Sequence, residues 1–405
     1  MTAAENGSPT SDIVAKQYTT WAYPEPIVDL PQWLRNNWQW FDPSHSSRLF
    51  WPNGRQPEKL DILIAGCGTN QAAVIAYNNP GSSVVAVDVS RQSLQHEQFL
   101  KEKYDLQNLE LHLLPIEEVS TLGRDFDLII STGVLHHMAS PEVGMQALAR
   151  CLRRDGVAAI MLYAKFGRLG VDMMQEVFRE MGLSQDEQSL KIVKNALASL
   201  PADHPLTSYT QLAPDLGFDA GLVDTFLHGR ERNYTVQQCL DLASSGGLVF
   251  QDLLFKAPYH PPIDSTDPFM SSVSSLPKER QWAVMERVHF RNGCHFFTAC
   301  RPERATAEYK IDFADPGASR YIPMFRYRCR LEGERLIGPN YNSALTAVQA
   351  SLLRWVDGRR SLEDIAVEAT AQGLFLASSL AENRAKVLKA FRGFWQHDQV
   401  LMALP

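Results

Sequence analysis

The chain has 405 residues, enough for two or three domains, because single hydrophobic cores rarely extend beyond about 250–300 residues. Hydrophobic residues make up 45% and charged residues 21%, which is ordinary for a globular protein. The net charge of −7 argues against a nucleic-acid binder that works through a basic surface.

Sequence patterns for targeting and for cysteine pairing also limit the class of protein that this chain can be. The longest apolar run, 157–164, is far shorter than the roughly 20 residues that span a bilayer, and residues 1–12 lack the apolar core of a signal peptide. The six cysteines form no C-x-x-C pair. We therefore expect a cytoplasmic protein with no membrane or nucleic-acid partner, no disulfide framework and no metal.

The first three segments in chain order have distinct compositions. Residues 1–57 read as a polar tail followed by an aromatic and proline-rich stretch, which is either a lid over a ligand pocket or an irregular segment packed on a core. From 58 to 164, short β-branched runs alternate with helical stretches, which predicts an α/β fold: a Rossmann-like, doubly wound parallel sheet. Residues 165–247 look helical and are too long for a loop, so we expect a helical cap insertion.

The rest of the chain divides into two further segments. Residues 248–304 are predicted to supply the last two strands, paired as an antiparallel edge of the sheet. Residues 305–405 are nearly neutral and alternate extended segments with helices, and a helix–turn–helix arrangement predicts a small α+β module of winged-helix type. Its near neutrality favours protein or peptide docking, dimerisation or a structural role over DNA binding.

A glycine turn carries the strongest chemical signal. Gly66 and Gly68 follow the first strand and precede a helix, so they allow a tight bend, a close backbone approach and helix N–H groups aimed at a ligand. Asp88 ends the second strand, twenty residues after Gly68, where a carboxylate can accept both hydroxyls of an adenosine ribose. Gln71 replaces the third glycine of G-x-G-x-x-G, which weakens the alternative of an NAD-dependent dehydrogenase. A generic βαβ unit with an incidental aspartate is the plainest alternative.

Four motifs in order resemble the class I S-adenosylmethionine (SAM)-dependent methyltransferases. They are the segments 62–69, 85–90, 126–138 and 151–156, and the resemblance covers about 60–300. It implies the seven-stranded methyltransferase type of sheet, SAM as cofactor and S-adenosylhomocysteine (SAH) as product. The segments 16–24 and 232–236 resemble a subgroup of bacterial methyltransferases, and 347–365 resembles winged-helix modules found beside peptide-modifying enzymes.

The resemblance assigns residues to the cofactor. Those expected to contact its methionine, ribose, adenine and sulfonium parts are Gly66, Cys67, Gly68, Asp88, Val89, Ser90, Ile116, Glu117, Thr132 and Gly133. Asn70 departs from the glycine that is frequent at its position, so the turn is expected to be tighter or differently aimed.

Catalytic and acceptor-binding residues are harder to predict. His136 and His137 follow the fourth strand, where a histidine either takes a proton from the acceptor or orders the loop, and Tyr18 is a third catalytic candidate. The polar aromatic and basic residues expected to bind the acceptor are Tyr23, Tyr209, His228, Arg230, Arg232, Tyr234 and His260.

These observations predict a SAM-dependent methyltransferase whose acceptor is a small molecule held between lid and cap. The alternative is a protein or peptide methyltransferase that docks its substrate through residues 305–405. A SAM-sensing scaffold is disfavoured because Gly66, Gly68 and Asp88 are all present. The sequence is compatible with a homodimer and with O, N, S or C as the acceptor atom.

Overall fold

The structure is a computed structural model that describes residues 12–262, 265–339, 341–375 and 379–405. Most of the predicted polar tail therefore lies outside the described residues.

The strands are β1 (Asp61–Ala65), β2 (Ser83–Asp88), β3 (Leu109–Leu113), β4 (Phe126–Thr132), β5 (Leu152–Tyr163), β6 (Val249–Leu253), β7 (Cys294–Cys300), β8 (Ile322–Phe325), β9 (Arg330–Glu332), β10 (Arg335–Gly338), β11 (Tyr341–Ala344) and β12 (Val400–Ala403).

The α-helices are α1 (Ile13–Thr20), α2 (Leu30–Asn36), α3 (Pro43–Phe50), α4 (Gln71–Asn78), α5 (Arg91–Lys103), α6 (Pro141–Arg150), α7 (Leu169–Glu180), α8 (Glu187–Ser199), α9 (Leu206–Thr210), α10 (Asp219–Phe226), α11 (Val236–Ser245), α12 (Pro268–Ser274), α13 (Lys278–Val288), α14 (Ala347–Arg354), α15 (Leu362–Ala371) and α16 (Leu380–Gln396).

The first seven strands form one sheet in the order β3-β2-β1-β4-β5-β7-β6. Strands β1 to β5 pair in parallel, and β7 pairs antiparallel with β5. Nearly every residue of β1 and β4 is buried, as expected for central strands with both faces covered. The predicted α/β fold with a seven-stranded mixed sheet is confirmed.

The chain divides into two compact units. Unit 1 consists of residues 1–42, 57–250 and 286–303, and unit 2 consists of 43–56, 251–285 and 304–405. These bounds differ from the five predicted segments, because residues 43–56 and 251–285 belong with the C-terminal hundred residues. The five-segment division stays a prediction.

In unit 1, residues 165–247 contain the helices α7 to α11 and no strand. Buried apolar side chains from four of these helices make a core of their own, among them Phe178, Val193 and Phe226. These four helices therefore each turn an apolar face towards a shared core.

Unit 2 has a separate core formed by α14, α15, α16 and the strands near them. The fully buried Leu353, Ile365, Val387 and Phe391 lie at its centre. Two small sheets accompany these helices, with the strand orders β11-β10-β9 and β12-β8. Ser361 caps α15 and Asp364 completes the capping box.

Candidate active site

A cavity of about 980 Å³ opens at the carboxyl ends of β1, β2 and β4 in unit 1. Its walls include Gly66–Gly68, Asp88, Thr132–Val134 and the segment Tyr23–Asp29. This is the edge at which open α/β sheets bind ligands, and the volume lies at the upper end of the range for small-molecule pockets.

The glycine turn has the backbone that only glycine adopts readily. Gly66 has a φ of +82° and Gly68 a φ of +56°. A Cβ atom on Gly66 would lie 2.4 Å from Cγ2 of Val134. A side chain at position 66 would therefore strain the backbone and also displace the loop after β4.

Asp88 connects the turn to the next loop. Its carboxylate accepts the Gly68 N–H at 2.9 Å and the Ser90 N–H at 2.8 Å. Burial raises the pKa of Asp88, whereas these backbone N–H groups act in the opposite direction. Asp88 therefore lies in the cavity wall, and its hydrogen bonds hold the carboxylate against the two loops.

Glu97 changes the expected role of the helix after the turn. Its fully buried carboxylate accepts the N–H groups of Ala72 at 2.9 Å and Ala73 at 2.8 Å. The prediction that α4 presents these N–H groups to a ligand was wrong, because a side chain of α5 already occupies them. Burial raises the pKa of Glu97 to about 8.

We call the residues Tyr23–Asp29 the strap. The strap crosses the glycine turn, because a Cβ on Gly68 would lie 2.9 Å from Cδ of Pro24. The Asn70 amide donates to the Glu25 carbonyl at 2.8 Å and accepts the Ile27 N–H at 2.8 Å.

Thr69, His96 and Lys103 also bond strap carbonyl groups, those of Pro24, Ile27 and Val28 in turn, at 2.6–2.8 Å. The asparagine that replaces glycine at position 70 thus has a structural role, because its side chain holds the strap over the turn by hydrogen bonds.

Two tyrosine–aspartate pairs lie at the cavity, and both tyrosines line it. The Tyr18 hydroxyl donates to Asp224 Oδ1 at 2.8 Å, and the Tyr23 hydroxyl donates to Asp215 Oδ2 at 2.8 Å. The rings of Tyr18, Tyr23 and Phe218 form a row with centroid separations of 6.5 and 6.2 Å. Sequence reasoning missed both aspartates and Phe218, since no motif marks them.

Of the two adjacent histidines, only His137 lines the cavity. Its Nδ1 bonds the Arg230 carbonyl at 3.0 Å, so Nδ1 carries the proton and the lone pair is on Nε2, which has no hydrogen-bond partner among the described residues. Burial lowers the pKa of His137 to about 4. His136 is fully buried, with its ring 4.0 Å from that of Tyr163.

His137, Asp224 and His228 place three potential metal-ligating atoms within 4.8 Å of one another. However, His228 Nδ1 accepts the Arg230 N–H at 3.0 Å, so in the neutral ring Nε2 carries the proton. That Nε2–H is directed at the Tyr18 hydroxyl, 3.4 Å away. In this tautomer His228 has no lone pair to give a metal, and Tyr18 links His228 to Asp224 by hydrogen bonds.

The predicted basic residues have acidic partners. Arg230 bonds Asp12 and also donates to the His137 carbonyl, and Arg232 pairs with Glu142 at 3.0 Å. Both guanidinium groups therefore already have carboxylate partners.

The described residues thus bring together some of the predicted site residues and not others. Those that line the cavity are Tyr18, Tyr23, Gly66, Cys67, Gly68, Asp88, Val89, Ile116, Glu117, Thr132, Gly133, His137 and Arg230. Those that do not are Ser90, His136, Tyr209, His228, Arg232, Tyr234 and His260.

The residues outside the cavity have other contacts. Ser90 caps α5 and donates to the Tyr18 carbonyl at 3.3 Å. Tyr209 accepts a hydrogen bond from the buried Arg168. Tyr234 is fully buried, and His260 belongs to unit 2, where its Nδ1 lies 3.2 Å from the Gln396 amide.

Within the described parts of the chain, no helix combines the length and the hydropathy needed to cross a membrane.

The sheet order, the glycine turn and Asp88 together define a class I SAM-dependent methyltransferase domain. Residues 63–158 match the family described as "Methyltransferase domain". The match spans about a quarter of the chain.

Similar proteins are known in sequence and in structure. An uncharacterized protein of Synechococcus sp. is 28% identical over 277 residues, which are 65% of each chain, so the match spans less than two thirds of that relative. Two structures of PKMT2 from Rickettsia typhi, one in complex with AdoHcy, have a TM-score of 0.63. They share 16% and 17% sequence identity with this chain. Each match covers 90% of this chain, and the matches cover 75% and 76% of the two PKMT2 chains. At this identity the likeness supports the fold.

Proposed function

We propose that this chain transfers the methyl group of SAM to an amine nitrogen of a small acceptor molecule and releases SAH. The observation that carries the amine assignment is the pairing of aromatic rings with aspartates beside the cavity, at Tyr18–Asp224 and Tyr23–Asp215. Faces of aromatic rings and carboxylates both attract cations. An ammonium group is the ordinary cationic form of an amine.

The residues of the glycine turn fit SAM. A close backbone approach at Gly66–Gly68 suits its methionine part, and the Asp88 oxygens suit the two ribose hydroxyls. Ile116 and Glu117 line the same cavity, where they suit the adenine ring. When bound, SAM supplies an electrophilic methyl group on a positively charged sulfur.

The cavity volume supports a small acceptor. A volume of about 980 Å³ gives room for the cofactor together with an acceptor of modest size. Because Arg230 and Arg232 are paired with carboxylates, an anionic acceptor has less support than a cationic one.

The chain's part in the reaction is largely to position the acceptor. An amine held against Tyr18 and Tyr23 is oriented for in-line attack on the methyl carbon, and this alignment lowers the barrier by removing translational freedom. The neutral ring of His137 also lines this cavity.

Two experiments test this proposal. Calorimetry with SAH should show binding that Asp88→Ala removes and that the control Asp241→Asn, at an exposed position on α11, leaves unchanged. Absence of SAH binding to the wild-type chain, or retention of full affinity by Asp88→Ala, would refute the cofactor assignment.

The acceptor class is tested with methyl-labelled SAM and four probes: n-butylamine, n-butanol, butyrate and a short lysine-containing peptide. Label on n-butylamine alone is the expected result. Label on the alcohol or the carboxylate would overturn the amine assignment, and label on the peptide without the free amine would overturn the small-molecule assignment.

A further inference from the structure

We infer that Tyr18 and Asp224 form the route by which the acceptor loses a proton before methyl transfer. This inference rests on the proposed function, because an ammonium nitrogen has no lone pair until a proton leaves it. It adds a proton-accepting carboxylate that no sequence motif indicates.

The geometry places one partner in the cavity and the other behind it. Tyr18 lines the cavity wall, whereas Asp224 does not and is only 2% exposed. The 2.8 Å hydrogen bond from the Tyr18 hydroxyl to Asp224 Oδ1 joins them. Gln17 and Tyr163 also face the Asp224 carboxylate, each at the longer distance of 3.4 Å. Tyr163 also lines the cavity, but the Tyr18 hydroxyl makes the shorter hydrogen bond, so Tyr18 offers the closer link between an acceptor in the cavity and Asp224.

His228 determines the direction of the hydrogen bonds that Tyr18 makes. Because the Arg230 N–H occupies His228 Nδ1, the His228 ring presents Nε2–H to the Tyr18 oxygen. The Tyr18 proton is consequently directed at Asp224, and the second oxygen lone pair remains for a donor in the cavity. The network thus leads protons away from the acceptor.

Burial raises the pKa of Asp224 to about 7. The Tyr18 hydrogen bond and Arg168 lower it, whereas Glu231 and Asp215 raise it. Other titratable groups facing the pair are His228, Tyr163, Tyr23 and Asp88. Near neutral pH the carboxylate is therefore balanced between accepting and releasing a proton.

A proton passes from the acceptor to Asp224 by two coupled transfers. The acceptor N–H proton passes to the Tyr18 oxygen while the Tyr18 proton passes to the Asp224 carboxylate, which becomes a neutral carboxylic acid. The free nitrogen lone pair then forms the new N–C bond, the S–C bond breaks, and its electron pair stays on sulfur as SAH. Asp224 afterwards returns its proton to solvent through the same hydroxyl.

The pair Tyr23–Asp215 is a matched internal comparison. It has the same residue types and the same 2.8 Å hydrogen bond, but Asp215 is only half-buried and itself lines the cavity. We assign Asp215 to attraction of the cation and Asp224 to acceptance of its proton.

The kinetic test uses n-butylamine and labelled SAM. Tyr18→Phe and Asp224→Asn should each lower kcat by about 100-fold or more, and the double variant should be no worse than either single one. In the wild-type chain kcat should rise with pH around 7, and both variants should lose this rise. Tyr23→Phe and Asp215→Asn should raise the KM for the amine yet keep the rise near pH 7. Equal kcat and an unchanged pH profile in Asp224→Asn would overturn the inference.

A second readout needs no turnover. Infrared difference spectra of protein labelled with ¹³C-aspartate, recorded across pH with and without SAH, should show a protonated carboxyl band that titrates near pH 7. Asp224→Asn should remove this band and Asp215→Asn should keep it; the reverse would refute the assignment.

The two readouts separate the hypotheses. Failure of SAH binding or of labelling in the wild-type chain refutes the proposed function, whereas labelling that survives Asp224→Asn refutes only the proton route.

Discussion

The strap gives a quantitative prediction about cofactor release. Asn70 is 4% exposed and makes two hydrogen bonds to strap main-chain atoms, at Glu25 and Ile27. Each contributes about 0.5–1.5 kcal/mol net, so Asn70→Ala should weaken closure of the strap by about 1–3 kcal/mol. At 1.4 kcal/mol per tenfold change, SAH should dissociate about 5- to 150-fold faster.

Stopped-flow fluorescence provides the assay, because Trp33, Trp38 and Trp40 line the same cavity and should respond when SAH is displaced by excess SAM. Asn70→Asp keeps an oxygen for the Ile27 N–H but loses the donor to Glu25, so its rate should fall between those of the wild type and Asn70→Ala.

The control for this prediction is Asn78→Ala, at the far end of α4. That change removes a hydrogen bond to Asp42 outside the strap and should leave the rate of SAH release unaltered. Release of SAH by Asn70→Ala at the wild-type rate would refute the reasoning that the strap must open for exchange.

Three further predictions concern stability, each measured by urea unfolding. Because the pKa of Glu97 is raised to about 8, its contribution to stability is fully present below about pH 4.5 and is lost as the pH rises towards 8. Glu97→Gln should therefore flatten the decline of the unfolding free energy between pH 5 and 8, and an identical slope in both proteins would contradict this. Arg168→Met breaks the buried ion pair with Glu231 and should lower the free energy of unfolding by about 3–5 kcal/mol. The double variant with Glu231→Leu should recover part of that loss. A loss below about 1 kcal/mol in Arg168→Met would contradict the prediction. Phe391→Ala in the core of unit 2 should cost about 3–5 kcal/mol, and Val367→Ala, at a half-exposed position on α15, less than about 0.5; similar costs would refute the core assignment.

Features encoded within a few neighbouring residues were predictable from the sequence. The alternation of apolar strands and amphipathic helices gave the α/β class, and the turn at Gly66–Gly68 followed by Asp88 gave the location of the cavity. Each depends on a short-range property: side-chain periodicity, the backbone freedom of glycine, or a fixed spacing along a βαβ unit.

Features that depend on contacts distant in sequence were not predictable. Asp224 meets Tyr18 across 206 positions, and nothing in the sequence near Asp224 distinguishes it from a surface aspartate. Glu97 reaches the start of α4 from the middle of α5, where a glutamate ordinarily faces solvent. Asn70 was recognised as unusual, but its partners lie 45 and 43 positions away in the strap.

The place of β7 in the sheet bears on how the protein is synthesised. It pairs with β5, yet 130 residues (164–293) separate the end of one strand from the start of the other. At about 5–20 residues per second, a ribosome needs roughly 7–26 s to make that stretch. Throughout this interval β5, whose residues 156–160 are all buried in the finished sheet, has an unpaired edge in the nascent chain. The order of the strands thus makes the middle of translation the period in which this protein is most exposed to aggregation.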